Sequence, residues 1–309
     1  PMVSQPIAAA KAAFEFPAMP YEDWKGSKET LHLFCQIVGK VRLKLHPKLN
    51  HWWHVTLYPS SRGFSTGKIP YGGNDLQIDF DLIDHCLILR TCGGGLRSFD
   101  LPGLSVSAFY GLVMSALEEL QVPVRILARP YDHPSKIPFA EDHAPRAYDK
   151  AAIHRYWRVT SQIGSIFEVF RAGFVGKATP VHLFWHSFDL AYTRFSGRPA
   201  PRLQGRNPSD EEAYSHEVIS VGFWAGDDTV REPAFYAYAY PDPEGLADTP
   251  IEPGPAVWNT AGGTAMGFLR YEDFRVLDDP QAGLLAFCES AYANAARLAN
   301  WPDGLLMTD

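Results

Sequence analysis

Apolar residues along the first third of the chain switch from helical to strand spacing. Over residues 29–45 they recur every three or four positions, which predicts a helix that Ser27 caps and Pro47 ends. Over residues 76–82 apolar and polar residues alternate, which predicts a strand with one solvated face. Related patterns predict a helix at 105–120 and further strands at 52–58, 85–91, 96–101 and 124–127.

The second half of the chain shows the same order of elements. Its apolar spacing predicts a long helix over 150–174, strands over 216–224 and 234–240, and a last helix over 280–299. Residues 181–188 fit either a helix, which Thr179 and Pro180 would begin, or a strand. The parallel with the first half favours the strand.

These patterns predict an α+β protein of two tandem related halves, each a mainly antiparallel sheet with a helix before it and a helix after it. Short strings support a repeat, since residues 36–39, 53–54 and 62–65 resemble 162–164, 185–186 and 194–197. Two such units are expected to pack as a pseudo-dimer with a ligand site in the cleft between them. The predicted segments are a flexible N-terminal arm at 1–20, a first half at 21–130, a proline-rich linker at 131–148, a second half at 149–300 and a C-terminal tail at 301–309.

Composition and charge narrow the classes of function. The 309 residues carry a net charge of −7, and no lysine or arginine run offers the basic surface on which nucleic-acid binders depend. No stretch approaches the roughly 18 continuous apolar residues of a membrane span, and residues 1–20 lack the features of a signal peptide. Four scattered cysteines without a paired motif are typical of buried thiols in a reducing compartment. We therefore expect a cytoplasmic protein whose partner is a small molecule rather than nucleic acid or membrane.

Two histidine-containing segments are candidates for chemistry. At residues 50–54 a strand would direct only one histidine into a site, and His54 would share a face with Trp52. The alternative is a histidine that only makes hydrogen bonds at a sheet edge. His182 and His186 could share a metal ion on a helix, although the general-base glutamate of the zinc-protease motif is missing. On a strand they lie about 13 Å apart and cannot share an ion.

A pair of charged residues, Asp189 and Arg194, follows the second histidine segment. An arginine in a cleft recognises a carboxylate or phosphate through its planar guanidinium group. The alternative is a salt bridge between these two residues. Arg62 stands at the matching place of the first half. If the two positions are equivalent, Arg62 would have the same role as Arg194, whether that is ligand recognition or a structural salt bridge.

Two predicted strands of the second half carry another candidate surface. His216 and Trp224 share a strand face with small residues, and Tyr214 comes just before that strand. Tyr238 belongs to a ladder of alternating tyrosines on the next strand. Such a ladder is either a half-exposed face or the wall of a pocket.

Polar groups thus interrupt strands dense in aromatic residues, which predicts a small-molecule site at the junction of the halves. The candidate catalytic residues are His54, His182, Asp189 and His216, and the candidate ligand-binding residues are Trp52, Arg194, Tyr214, Trp224 and Tyr238. No nucleophile elbow, phosphate loop or dinucleotide fingerprint occurs, so no cofactor is indicated, and metal binding and oligomeric state stay open. The functions compatible with these residues are an acid–base or metal-dependent enzyme that uses His and Asp, a non-catalytic binding protein with an aromatic pocket, and a structural or partner-binding protein.

Three strings are specific enough to compare with known families: Asn50-His51-Trp52-Trp53-His54, the segment from Phe188-Asp189 to Arg194-Phe195-Ser196-Gly197, and Tyr214-Ser215-His216-Glu217. On these strings the chain resembles a bacterial family of similar length that is known only as a domain of unknown function. The resemblance covers residues 21–300 and does not include His186. It implies a bacterial cytosolic protein and assigns no activity, cofactor or catalytic residue.

Overall fold

The computed structural model describes residues 14–203 and 208–307. The first half contains a long helix, six strands and a shorter helix: α1 (Tyr21–Leu45), β1 (Tyr58–Ser60), β2 (Gly63–Ser65), β3 (Ile69–Tyr71), β4 (Asn74–Asp81), β5 (Cys86–Thr91), β6 (Leu96–Asp100) and α2 (Val106–Glu119). The second half contains four helices and six strands: α3 (Lys150–Ala172), β7 (His182–Phe184), β8 (Asp189–Pro199), α4 (Pro208–Ala213), β9 (His216–Trp224), β10 (Ala234–Tyr240), β11 (Val257–Asn259), β12 (Met266–Arg270), α5 (Tyr271–Phe274) and α6 (Pro280–Leu298). The side chains of Ser105, Asp149 and Asp279 accept hydrogen bonds from the first turns of α2, α3 and α6, which defines where these helices begin.

Each half has one six-stranded antiparallel sheet. The strand order is β1-β2-β4-β5-β6 in the first, with β3 also paired to β4, and β11-β12-β10-β9-β8-β7 in the second. The two sheets meet edge to edge, where Leu57 and Leu183 exchange both backbone hydrogen bonds, at 2.9 and 2.7 Å. This pairing sets Tyr58 opposite His182 across the junction of the halves.

The helices pack as a layer with α1 in contact with both α2 and α3. Phe34 of α1 stacks on Phe109 of α2 with ring centroids 4.0 Å apart, and Trp24 stacks on Tyr156 of α3 at 4.8 Å. Helices α3 and α6 pack against β8, β9 and β10. Because α1 has neighbours on several sides, its apolar residues are buried around most of its circumference rather than along one stripe.

The predicted α+β fold with two halves is confirmed. Residues 181–188 contain the strand β7, as the parallel between the halves predicted. Helix α1 begins earlier than predicted, so Ser27 lies inside it instead of capping it. The Ser27 hydroxyl accepts a hydrogen bond from the Asp149 amide (2.8 Å) and thereby joins the two halves.

Two predicted strands are wrong. Residues 50–52 form a single 3₁₀ turn, in which His51 and Trp52 have φ angles of 54° and 62°. A strand requires negative φ, so the extended pattern starts only near Leu57. Residues 124–127 have a composition typical of β-strands but pair with no strand in the described part of the chain. Strand propensity depends on tertiary context, and in the described part of the chain these residues do not join either sheet.

The proposed match between Arg62 and Arg194 is also wrong. Arg62 lies in the turn before β2, where its carbonyl oxygen accepts a hydrogen bond from Leu82. Arg194 lies in the middle of β8, opposite Ile219. Short strings of similar composition therefore recur here without structural equivalence.

The predicted arm and linker are anchored to the body of the protein where they are described. Phe16 packs against Phe274, with ring centroids 4.8 Å apart. Within the predicted linker, the Tyr131 backbone exchanges two hydrogen bonds with the Gln36 side chain of α1. Residues 1–13 and 308–309 lie outside the described residues, and the domain boundaries stay predictions. In the described ranges, no helix has the length and apolar character needed to cross a membrane.

Candidate functional site

A cavity of about 210 Å³ lies over the second sheet, on the face opposite α3 and α6. Side chains of β8, β9 and β10 form its floor, and α4, the turn at residues 51–53 and the β7–β8 turn form its walls. Alternation along β8 directs Asp189 and Thr193 into the cavity, and Leu190 and Arg194 toward the helices. The cavity thus combines residues of the second half with one turn of the first.

Small residues in the centre of the floor allow two tyrosine rings to lie across it. The strand register aligns the floor in two rows, Ala191–Gly222–Tyr236 and Thr193–Ser220–Tyr238. A Cβ atom at Gly222 would lie only 2.1 Å from the Tyr236 ring. Only glycine at this position lets the ring cross β9 and reach β8.

The buried carboxylate of Asp189 is the polar centre of the cavity, and the residue is 8% exposed. The hydroxyl groups of Ser187 and Tyr236 both donate hydrogen bonds to it. Burial, together with the negative charge of Asp189, raises the pKa of Tyr236 well above its ordinary value, so the phenol keeps its proton and remains a donor. Among the described residues, no basic side chain forms an ion pair with this carboxylate.

A second pair of phenols lies beside this centre. The hydroxyl groups of Tyr214 and Tyr238 are 2.8 Å apart, and those of Thr193 and Ser220 are 2.7 Å apart. The neighbouring Tyr238 and burial raise the pKa of Tyr214, and burial raises that of Tyr238. The floor therefore presents protonated phenol groups around Asp189.

At the other end of the cavity, His51 holds a lysine against aromatic rings. The Lys177 ammonium group donates to His51 Nε2 (2.7 Å) and lies 5.5 and 5.1 Å from the ring centroids of Trp53 and Phe195. His51 Nδ1 lies 3.3 Å from two backbone carbonyl oxygens of α4 and donates to them. Burial and the Lys177 charge lower the pKa of His51, so its ring is neutral and both nitrogens are engaged.

Four of the nine candidate residues are at this site or at its edge, and His186, considered above with His182, also lines the cavity. Asp189, Tyr214 and Tyr238 line the cavity. His216 lies at the edge, where its ring is 5.4 Å from that of His51.

The other candidates lie elsewhere. Trp52 and His54 stack on each other with centroids 5.3 Å apart and do not line the cavity, because the turn at residues 50–52 directs them away from it. Arg194 points to the opposite face of the sheet, where its guanidinium lies 3.6 Å from the ring centroid of Phe170. Being on opposite faces, Arg194 and Asp189 cannot form the salt bridge considered above.

Two further candidates are near the cavity without lining it. His182 is 0% exposed, with its ring packed beside Phe184 and Tyr58. Trp224 ends β9 opposite Asp189 and is not part of the lining.

Several residues that line the cavity were not among the candidates chosen from the sequence. The tyrosine ladder and the small residues of β9 already indicated the part of the floor formed by Ser220 and Tyr236. His51 and Trp53 belong to the wall, but the choice between them and Trp52 and His54 depends on a left-handed turn that no local pattern revealed.

Comparison with known protein families gives a match that spans the whole described fold. Neither the curated proteins nor the solved structures include a match to this chain. One family profile matches residues 16–308, which covers both halves and every residue of the cavity. The chain therefore belongs to the family of unknown function DUF5996.

Proposed function

We propose that the cavity binds a small organic amine in its ammonium form. The observation that carries this proposal is the buried carboxylate of Asp189, which faces an aromatic cavity and whose hydrogen-bond donors among the described residues are the neutral hydroxyl groups of Ser187 and Tyr236. The proposal assigns binding and no catalytic step. Both ring nitrogens of His51 are engaged in hydrogen bonds.

Electrostatics favours a cationic ligand over a neutral or anionic one. A buried carboxylate is costly unless a positive charge compensates it, and hydroxyl donors reduce that cost without cancelling the charge. An ammonium group at Asp189 would add charge-assisted hydrogen bonds to those from Ser187 and Tyr236.

The aromatic walls support the same choice of ligand. The faces of Trp, Tyr and Phe rings attract cations, most strongly where water is excluded. Phe184 and Tyr214 line the cavity beside Asp189, and Trp53 and Phe195 already hold the protein's own Lys177 ammonium group. The volume of about 210 Å³ suits a compact ligand.

Calorimetric titration with matched pairs of probes tests the proposal. Benzylamine and butylamine are compared with benzyl alcohol and butanol, which keep the shape and lack the charge. We expect the amines to bind at least tenfold more tightly, and Asp189→Asn to remove that preference. Equal binding of amines and alcohols, or an unchanged preference in D189N, would show that the carboxylate does not select the ligand.

The control for this variant is Asp79→Asn in the first sheet. Asp79 also accepts a serine hydroxyl, from Ser65 at 2.6 Å, but it is paired with Arg90 at 2.7 Å. Its charge is therefore already compensated within the chain. D79N should bind amines as the parent protein does, which separates loss of the site from a general effect of removing a carboxylate.

Gly222→Ala tests whether the crossing of Tyr236 matters for binding. The added methyl group should displace the Tyr236 ring, so that its hydroxyl no longer reaches Asp189. We expect benzylamine affinity in G222A to fall several-fold, to the level of Tyr236→Phe, and the double variant to show no further loss. Additive losses in the double variant would mean that Gly222 acts on binding by another route.

We also infer that the halves derive from one repeated unit in a cytoplasmic protein. The supports are the shared order of helix, antiparallel sheet and helix, and the scattered cysteines without disulfide bonds.

A further inference from the structure

A second group of polar side chains lies between α1 and the predicted linker, outside the cavity lining. Glu29, His32 and His133 each offer one ligand atom, and these atoms all lie within 4.8 Å of one another. Glu29 and His32 are three residues apart on α1 and so share one helix face. Gln36, one turn further, bonds the Tyr131 backbone and so holds the segment that carries His133.

His32 has a nitrogen lone pair that nothing in the described chain uses. Its Nε2 lies 3.0 Å from the carbonyl oxygen of His186 and 3.2 Å from the side-chain nitrogen of Gln36, and in the tautomer with the proton on Nε2 it donates to the carbonyl. Its Nδ1 is buried and, among the described residues, has no hydrogen-bond partner. Metal-ligating histidines have this arrangement, because a carbonyl that holds one N–H orients the other nitrogen toward the ion. An orphaned acceptor of this kind is otherwise costly.

We propose that Glu29, His32 and His133 form a binding site for a divalent transition-metal ion. Two imidazoles and one carboxylate are a donor set suited to Zn²⁺ or Fe²⁺, with the remaining positions open to water or a ligand. The Glu29 side chain is 28% exposed, which gives an ion access from solvent. The Lys28 ammonium group forms an ion pair with Oε1 of Glu29 at 3.0 Å, which leaves Oε2 as the atom that would bind the metal.

The metal would take the place of a proton between two of its ligands. His133 Nε2 now lies 2.9 Å from Glu29 Oε2 and donates to it, while His133 Nδ1 accepts from the Ser135 amide at 3.0 Å. Coordination at Nε2 moves the ring proton to Nδ1, where it meets the Ser135 N–H. The Ser135 amide must then turn away, so its hydrogen exchange should become faster when the metal binds.

Metal titration of the full chain tests the site. After treatment with a chelator, the protein should bind one equivalent of Zn²⁺ in calorimetry, and cobalt should give the visible spectrum of a nitrogen- and oxygen-ligated ion. Anaerobic titration with Fe²⁺ and elemental analysis of the protein as purified distinguish the two metals. We expect His32→Ala and His133→Ala to weaken Zn²⁺ binding at least tenfold.

His143→Ala is the matched control, since His143 is an exposed histidine of the same predicted linker. Glu29→Gln keeps the shape of a ligand and should also weaken binding, which preserves the test if a histidine variant fails to fold. The metal site would be overturned if the protein bound none of Zn²⁺, Co²⁺ and Fe²⁺ stoichiometrically. It would also be overturned if the parent, E29Q and H143A bound Zn²⁺ with equal affinity. Neither outcome bears on the proposed amine site, because that site is tested separately, with Asp189 variants and with amines titrated in the absence of metal.

Discussion

Gly39→Ala should destabilise the protein, although alanine is normally the better helix residue. Gly39 lies in α1 where Trp185 packs against the helix, and an added Cβ would lie 2.2 Å from two atoms of the indole ring. Trp185 is buried, and its Nε1 donates to the Val55 carbonyl oxygen at 2.7 Å. Displacing this ring therefore disturbs the contact between the two halves.

The free energy of unfolding in urea measures this effect. We expect G39A to lose about 2–3 kcal/mol, because overpacking and a weakened hydrogen bond outweigh the roughly 1 kcal/mol that alanine gains over glycine in a helix. Gly111→Ala in α2 is the control, since a Cβ there meets open space. G111A should gain about 0.5–1 kcal/mol. Changes of the same sign in both variants would contradict the close packing of Trp185 on Gly39.

The stability of the protein should fall in mild acid because of His182. Burial, with a smaller contribution from the Arg42 charge, lowers the pKa of His182 from 6.5 to about 3. The unfolded chain therefore takes up a proton near pH 6.5, whereas the folded protein resists it until about pH 3. The stabilising difference is present above the unfolded pKa and is lost as the pH falls through this window, at ~1.4 kcal/mol per pH unit.

Urea unfolding at pH 7, 6, 5 and 4 separates this histidine from the other titrating groups. We expect His182→Leu to lose less stability per pH unit than the parent, by an amount that corresponds to about one proton. His143→Leu, at an exposed position, should keep the slope of the parent. Parallel pH profiles for the parent and H182L would mean that His182 is protonated equally in the folded and unfolded chain.

Local periodicity predicted the helices α1, α2, α3 and α6 and half of the described strands, because helix and strand patterns reflect which side chains one element buries by itself. The tyrosine ladder predicted β10, and the alternation at 216–224 predicted β9 with the same bounds. The predictions failed where conformation depends on distant partners. Residues 124–127 have strand composition but join neither sheet in the described part of the chain. Ser27 resembles a cap but bonds Asp149 of the other half.

The candidate site was predictable only in part for the same reason. Asp189, Tyr214 and Tyr238 were found because a polar residue among aromatic ones is visible in sequence. The choice of His51 and Trp53 over Trp52 and His54 follows from two positive φ angles, which reverse the side-chain directions that a strand would give.

By itself, the sequence determined the α+β class, the two halves and the chemistry available to the second sheet, since these depend on residue type and on spacing of two to four positions. Only the tertiary structure decided which side chains share a space. It brought Tyr236 across Gly222 to Asp189, and His133 to a helix about a hundred residues earlier in the chain. Such contacts between distant residues depend on strand register and helix packing. Both are determined by interactions across the whole chain, so a short window of sequence does not reveal them.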